Sequence, residues 1–104
     1  MIQMDKTIFK NKIKKELRES LKSENEIQKI IVFGSFLRMN DPQDIDVAIF
    51  QNSNEPYLKL ALKYRKLTRE ISKIIPIDII PIRKDISGSF ILSEIEAGES
   101  IYER

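Results

Sequence analysis

Residues 27–50 read IQKIIVFGSFLRMNDPQDIDVAIF and contain two apolar runs with a turn-rich segment between them. The first run, Ile27 to Phe33, predicts a short buried strand, and the second run, Ile45 to Phe50, predicts another. The four residues 36–39 are enough to form one helical turn. Residues 40–43, Asn-Asp-Pro-Gln, indicate a turn, because proline fixes φ while Asn and Asp bond to their own backbone.

Two amphipathic helices are predicted on either side of this stretch. From about Asp5 to Ser23, apolar residues recur every four positions with charged residues between them. A longer helix is predicted from about Pro56 to Ile74, with proline at a favourable first position. Its apolar residues recur every three or four positions, which predicts that their side of the helix is buried in the core. These residues are Tyr57, Leu60, Ala61, Tyr64, Leu67, Ile71 and Ile74.

The C-terminal third predicts one more strand and one more helix. Residues 77–82 form an apolar run whose Pro81 suggests an edge position or the end of pairing. A last helix is predicted from about Ser89 to Ala97, capped by Gly98. Residues 101–102, Ile-Tyr, are expected to pack as a tail. The order α-β-α-β-α-β-α predicts an α+β fold.

Composition limits the chemistry that this chain can perform. With 104 residues a single domain over residues 1–104 is expected, and 18 Lys plus Arg against 16 Asp plus Glu give a formal net charge of only +2. There is no Cys and no His, which excludes disulfides, thiol or Ser-His-Asp catalysis and the usual zinc sites. The small charge gives no reason to expect nucleic acid as a direct partner. No membrane span or signal peptide is apparent, so the cytoplasm is the expected compartment.

Three aspartates form the main candidate site. Asp44 and Asp46 are two residues apart at the entry to a predicted strand, so their side chains should share one face. Asp78 interrupts the apolar run 77–80 and would join them if the two strands are neighbours. Clustered carboxylates repel one another unless a cation lies between them, and Mg²⁺ prefers carboxylate, water and phosphate oxygens. The pattern favours a site for one or two Mg²⁺ ions.

A second candidate feature lies just before these acids. Gly34 lets the backbone approach a ligand closely, and a helical turn beginning after it would offer backbone N–H groups to a phosphate. Ser35 adds a hydroxyl donor and Arg38 a positive charge. A phosphate cradle beside a metal–carboxylate cluster is suited to phosphoryl-type transfer. Each motif taken alone also has a purely structural interpretation. Gly34-Ser35 is typical of a tight turn, Asp44-x-Asp46 of a capped loop, and Asp78 of an aspartate that is ion-paired with a neighbouring Lys or Arg.

The combination Gly34-Ser35, then Asp44-x-Asp46 after eight residues, then Asp78 on a later strand resembles the nucleotidyltransferase domain of the DNA polymerase β superfamily. Within it the chain looks like the minimal nucleotidyltransferases. The resemblance implies a small mixed β-sheet with helices packed on it. It also implies transfer of a nucleoside monophosphate from a nucleoside triphosphate to a hydroxyl, with Asp44 and Asp46 bridging two metal ions.

The same resemblance assigns the remaining roles. Asp78 corresponds to the carboxylate that helps to hold the catalytic metal and activates the acceptor, and Gly34 and Ser35 to the pair that holds the β/γ phosphates. The chain differs from common family patterns at Met39, where glycine is frequent, and at Gln43, where serine is frequent.

The resemblance also implies a partner. Minimal nucleotidyltransferases are commonly paired with a helical HEPN-domain toxin, so we expect an ATP-using, Mg²⁺-dependent antitoxin that adenylylates a hydroxyl, that of a tyrosine, on such a protein. Two alternatives stay open at this point. The chain could neutralise its partner by contact alone, or it could modify a small molecule or an RNA end.

Overall fold

The computed structural model describes residues 6–83 and 90–104. The elements, in chain order, are α1 (Lys6–Leu21), β1 (Ile27–Phe33), α2 (Ser35–Arg38), β2 (Ile45–Gln51), α3 (Tyr57–Leu67), α4 (Arg69–Ser72), β3 (Ile77–Arg83), α5 (Phe90–Glu96) and β4 (Glu99–Glu103). The α+β class is confirmed, and the strands predicted at 27–33, 45–50 and 77–82 form as expected, the last two being one residue longer.

The strands form one mixed sheet in the order β3-β2-β1-β4. β1 pairs antiparallel with β2 and β4, whereas β2 and β3 run parallel. β3 lies at an edge, as Pro81 predicts, because a proline in a central strand would lack a ladder hydrogen bond. β2 is therefore paired with a neighbouring strand on both sides from Asp46 to Gln51.

The two faces of the sheet are covered by different helices. On one face, residues of β1, β2 and β3 pack against α1, α3 and α4; this core includes Ile13, Leu17, Leu21, Ile30, Val32, Val47, Ile49, Leu60, Tyr64, Ile71 and Ile79. On the other face, Ile95 of α5 packs with Ile31, Phe33, Ala48 and Ile82. Alternation along β2 sends Ile45, Val47 and Ile49 to the first face, as predicted, and leaves the acids on the second.

The long helix predicted from Pro56 to Ile74 is two helices, so that prediction was wrong in its extent. α3 ends at Leu67 and α4 begins at Arg69, with Thr68 between them at φ −105° and ψ 15°. The buried Thr68 hydroxyl donates to the Tyr64 carbonyl oxygen at 2.9 Å, and a back-bonding threonine of this kind competes with regular helix geometry.

The break also changes which apolar side chains are buried. Leu60, Ala61, Tyr64 and Ile71 lie in the core as predicted. Tyr57 and Ile74, 59% and 55% exposed, do not, and Leu67 is also exposed. Periodicity could not reveal this, because it assumes one continuous helix axis.

The C-terminal residues 101–102 form part of a strand rather than a packed tail, which corrects the prediction. β4 pairs with β1, Ile30 facing Tyr102 and Ile31 facing Ser100. Gly98 precedes β4 at the predicted cap position, and a Cβ there would lie 2.5 Å from the Val32 carbonyl oxygen. Glycine thus permits the close passage of the chain over β1. The predicted start of α5 at Ser89 lies outside the described residues. Across residues 6–83 and 90–104, no helix is long and apolar enough to span a bilayer.

A polar cluster attaches α3 to the turn that precedes β1. The Tyr64 hydroxyl and the Lys63 ammonium both donate to Glu26 Oε2 at 2.9 Å, and Lys63 also pairs with Glu24. Burial acts to raise the pKa of Glu26, but the hydrogen bonds from Lys63, the backbone and Tyr64 together hold it below its ordinary value of 4.5. Burial, and then the bond to Glu26, raise the pKa of Tyr64.

This cluster predicts an acid-sensitive contribution to stability. A lowered folded-state pKa means that the contribution is present above the unfolded value, near pH 4.5, and is lost as the pH falls through the folded pKa. We expect Glu26→Gln to reduce the free energy of unfolding at pH 7 by about 1 kcal/mol and to weaken its decline between about pH 5 and pH 3. Urea denaturation across this pH range measures both effects.

Glu70→Gln is the matched control, because Glu70 is 83% exposed and pairs with Lys73 within α4 and its cap. Its removal should leave stability nearly unchanged. Identical pH profiles for wild type and Glu26→Gln would contradict the role given to Glu26.

Candidate active site

The site is built where β1 ends and β2 begins. Gly34 follows β1 with φ +82°, a conformation that favours glycine, and it stands beside Asp46 of the neighbouring strand. A Cβ at position 34 would lie 2.5 Å from Asp46 Oδ2. Glycine at this position therefore satisfies two requirements at once: the turn out of β1 and space for a carboxylate.

Strand register brings Asp46 and Asp78 together. β2 and β3 are parallel, and Asp46 is directly paired with Asp78, so both side chains project from the same face. The sequence predicts that Asp78 joins Asp46 if their strands are neighbours. The structure shows that β2 and β3 are neighbours. Asp46 is half-buried, whereas Asp78 is exposed.

Asp44 completes the acidic group. It is half-buried and lies just before β2, two residues from Asp46. Burial raises the pKa of Asp46, and so do the charges of Asp44 and Asp78 and the hydrogen bond to Asp78. Each of these effects penalises the ionised form of Asp46.

The donor set is of the kind that a hard divalent cation takes. Across residues 6–83 and 90–104, no three acidic side chains converge closely enough to define a metal site as they stand. Burial and the neighbouring carboxylates, which raise the pKa of Asp46, nevertheless disfavour its negative charge, and a divalent cation would relieve the repulsion from Asp44 and Asp78. The three aspartates therefore fit Mg²⁺ chemically.

The proposed phosphate-binding residues occupy the short helix α2. Ser35 is its first residue and is half-buried, and the Gly34 carbonyl accepts a bond from the Leu37 N–H at 3.2 Å. Arg38, the last residue of α2, is exposed and makes no ion pair with an acid in the part of the chain that the structure describes. Arg38 therefore remains available for a phosphate, although its side chain is not fixed in place.

Arg83 does not lie at the acidic group. It pairs with Gln51 at the far end of β3, five residues from Asp78. At about 3.3 Å per strand residue, that separation is roughly 16 Å. Lys84 lies outside the described residues.

The acids lie away from the larger concavities. One of about 370 Å³, between α5 and the sheet, is lined by Lys29, Phe50 and Glu96 among others. Lys29 and Phe50 pair at the opposite end of β1 and β2 from Asp46, and this lining offers neither clustered acids nor a glycine turn. The chemistry therefore places the candidate site at the acids, on a face that a second molecule can reach.

Sequence reasoning missed two lysines that contact the loop between α2 and β2. Lys10 donates to the Met39 carbonyl oxygen at 2.6 Å, and Lys6 pairs with Asp41 at 3.1 Å. Their spacing of one helical turn was the available signal, but nothing in the sequence shows which surface they meet.

The family-level comparison agrees with this arrangement. The family model for Polymerase beta, Nucleotidyltransferase matches residues 15–104. That range contains Gly34, Ser35 and all three aspartates. The chain belongs to the polymerase beta nucleotidyltransferase family, and it is therefore a nucleotidyltransferase by class.

Solved structures with the same fold come from toxin–antitoxin complexes. The complex of tri-AMPylated Shewanella oneidensis HEPN toxin with MNT antitoxin matches with a TM-score of 0.51 and 22% identity, over 95% of this chain and 73% of that chain. The toxin–antitoxin MntA-HepT matches with a TM-score of 0.54 and 21% identity, over 94% and 73%. A toxin–antitoxin structure with AMP-PNP gives 0.51 and 24%, over 91% and 73%. No curated protein sequence matches this chain significantly.

The repulsion among the acids gives a prediction that does not depend on catalysis. Because the pKa of Asp46 is raised, its negative charge opposes folding at pH 7. Asp46→Asn should therefore raise Tm by a few degrees in EDTA. For a domain of this size, about 1 kcal/mol of stability corresponds to about 4–8 °C in Tm. Mg²⁺ should raise the Tm of wild type and have much less effect on Asp46→Asn. Thermal unfolding with and without Mg²⁺ provides the measurement.

Glu70→Gln serves again as the control, since it removes one acidic charge from an exposed position of α4 that pairs with Lys73. It should respond to Mg²⁺ as wild type does. An equal Mg²⁺ response in Asp46→Asn would show that the ion binds elsewhere.

Proposed function

We propose that this chain is a Mg²⁺-dependent adenylyltransferase that moves AMP from ATP to a tyrosine hydroxyl of a helical HEPN-type toxin and thereby acts as its antitoxin in the cytoplasm. The observation that carries the proposal is the direct pairing of Asp46 with Asp78 beside Gly34, in a chain of the nucleotidyltransferase family. Asp44, Asp46 and Asp78 are the proposed metal-binding and catalytic residues, and Gly34, Ser35 and Arg38 the proposed phosphate-binding ones.

The proposed step is an in-line displacement at the α-phosphorus of ATP. A bond forms between the acceptor oxygen and the α-phosphorus, and the bond to the bridging oxygen breaks, releasing pyrophosphate. The acceptor loses its proton to Asp78, the exposed member of the acidic group. Mg²⁺, when bound, lowers the pKa of the acceptor hydroxyl and neutralises phosphate charge.

Residues of this chain supply positioning. Asp44 and Asp46 hold their carboxylates on one face of β2, which backbone bonds on both sides keep in place. The turn at Gly34 brings the backbone of α2 next to these acids, so that the β/γ phosphates would lie by Ser35 while the α-phosphorus faces Asp46. Such orientation converts a bimolecular reaction into an effectively intramolecular one.

The choice of acceptor is supported by the structural neighbours. One of them is a complex of a tri-AMPylated HEPN toxin with an MNT antitoxin, and another is a toxin–antitoxin structure with AMP-PNP. The exposure of Asp78 is consistent with a macromolecular acceptor, because a hydroxyl on a large partner can reach the site without entering a closed cavity.

Intact-mass spectrometry of a HEPN-type partner provides the test. Incubation with this chain and Mg·ATP should add whole AMP units to the partner, and EDTA should prevent the addition. Substituting Asp44→Asn and Asp46→Asn together should lower the rate at least about 1,000-fold, because the metal ligands act as a unit. Glu70→Gln should transfer AMP normally.

The other outcomes identify the alternatives. Toxin silencing that survives in the double Asp→Asn variant, with no mass change, would support neutralisation by contact. Transfer of AMP to a small molecule or an RNA end, but not to the partner, would retain the reaction and replace the acceptor.

A further inference from the structure

The loop that joins the Gly34 turn to the acids has few bonds of its own. Met39 N–H donates to the Ser35 carbonyl oxygen at 2.8 Å and closes α2. Beyond that, the side chain of Gln43 reaches the Asp41 carbonyl oxygen only at 3.5 Å, and the next firm anchor is the Ile45 N–H, which donates to Pro76 at 2.9 Å. The position of α2 relative to Asp44 and Asp46 therefore depends on contacts from outside the loop.

Lys10 of α1 supplies the strongest of these contacts. Its ammonium donates to the Met39 carbonyl oxygen at 2.6 Å and lies 5.6 Å from the centre of the Phe36 ring, a cation–π distance. Phe36 is fully buried in the core shared with α1. Lys10 is itself half-buried, although Met39 and the hydrogen bond are exposed, so the contact combines a short charged hydrogen bond with packing near the Phe36 ring.

Lys6 makes a weaker contact one turn earlier. It pairs with Asp41 at 3.1 Å, but the two side chains are 53% and 80% exposed, and ion pairs this exposed contribute little. The two lysines form a clamp between α1 and the loop, with Lys10 as its effective member. We call Lys6 and Lys10 the α1 clamp.

We propose that Lys10 is a positioning residue for nucleotide binding. By fixing the C-terminal end of α2 against α1, it keeps the Gly34–Ser35 turn beside Asp46 before ATP arrives. This inference rests on the proposed function, since it concerns the same site. Without Lys10, ATP must also order the loop, and that cost weakens binding more than it slows the chemical step.

The test uses Lys10→Met, which keeps most of the side-chain stem and removes the charge and the donor. We expect the Kd for Mg·AMP-PNP, measured by calorimetry on the full chain, to rise about five- to tenfold, the effect of one lost charged hydrogen bond. The KM for ATP should rise in parallel, with kcat within about twofold of wild type. Lys10→Arg should restore most of the affinity, because it keeps a charged donor.

Two control variants separate positioning from general effects. Lys12→Met removes a charge from an exposed position of α1, and it should leave the Kd unchanged. Lys63→Met removes the ties to Glu24 and Glu26 far from the acids; it should lower Tm without changing the Kd. If Lys10→Met fails to fold, Lys10→Leu, which likewise has neither a charge nor a hydrogen-bond donor, provides the same comparison.

The possible failures are distinguishable. A wild-type affinity in Lys10→Met, or an equal loss in Lys12→Met, would overturn the role of Lys10 while leaving the proposed function intact. A loss of affinity in Lys63→Met as large as that in Lys10→Met would reduce Lys10 to a general structural role. If wild type binds no Mg·AMP-PNP, the proposed function fails and this inference fails with it.

Discussion

Everything at the candidate site depends on the parallel pairing of β2 with β3, which sets Asp46 directly beside Asp78. Burial and two neighbouring carboxylates raise the pKa of Asp46, so the free protein holds an arrangement that its charges oppose. The sheet can maintain it because β2 is bonded on both sides, to β1 and to β3, and cannot move without breaking two ladders. Hydrophobic burial on the opposite face, through Val47 and Ile49, provides the compensating free energy.

The helix α1 links the stability of the core to the geometry of the site. Its apolar side chains Ile13, Leu17 and Leu21 are buried against the sheet, which fixes the axis of the helix. With the axis fixed, the α1 clamp extends from its N-terminal half to the loop between α2 and β2. A residue on what looks like a solvated face can thus restrain a loop, because a long lysine side chain packs its stem and still directs its ammonium to a carbonyl.

The differences between prediction and structure have identifiable physical causes. The break at Thr68 arises from a side-chain hydroxyl that competes for backbone carbonyls, and a periodic apolar pattern does not show such competition. The strand β4 has only five residues and no clean alternation, so its pairing with β1 depends on a close approach that Gly98 allows.

The sequence by itself determined the first three strands, the shared face of Asp44 and Asp46, and the turn at Gly34, because alternation and glycine chemistry are local properties of the chain. It also indicated carboxylates as the candidate catalytic groups, because the chain has no His and no Cys. Only the tertiary structure decided that Asp78 lies opposite Asp46, that a Cβ at position 34 would meet Asp46, and that Lys10 holds α2. Those facts depend on strand order, register and helix packing, which arise from contacts between residues far apart in the chain.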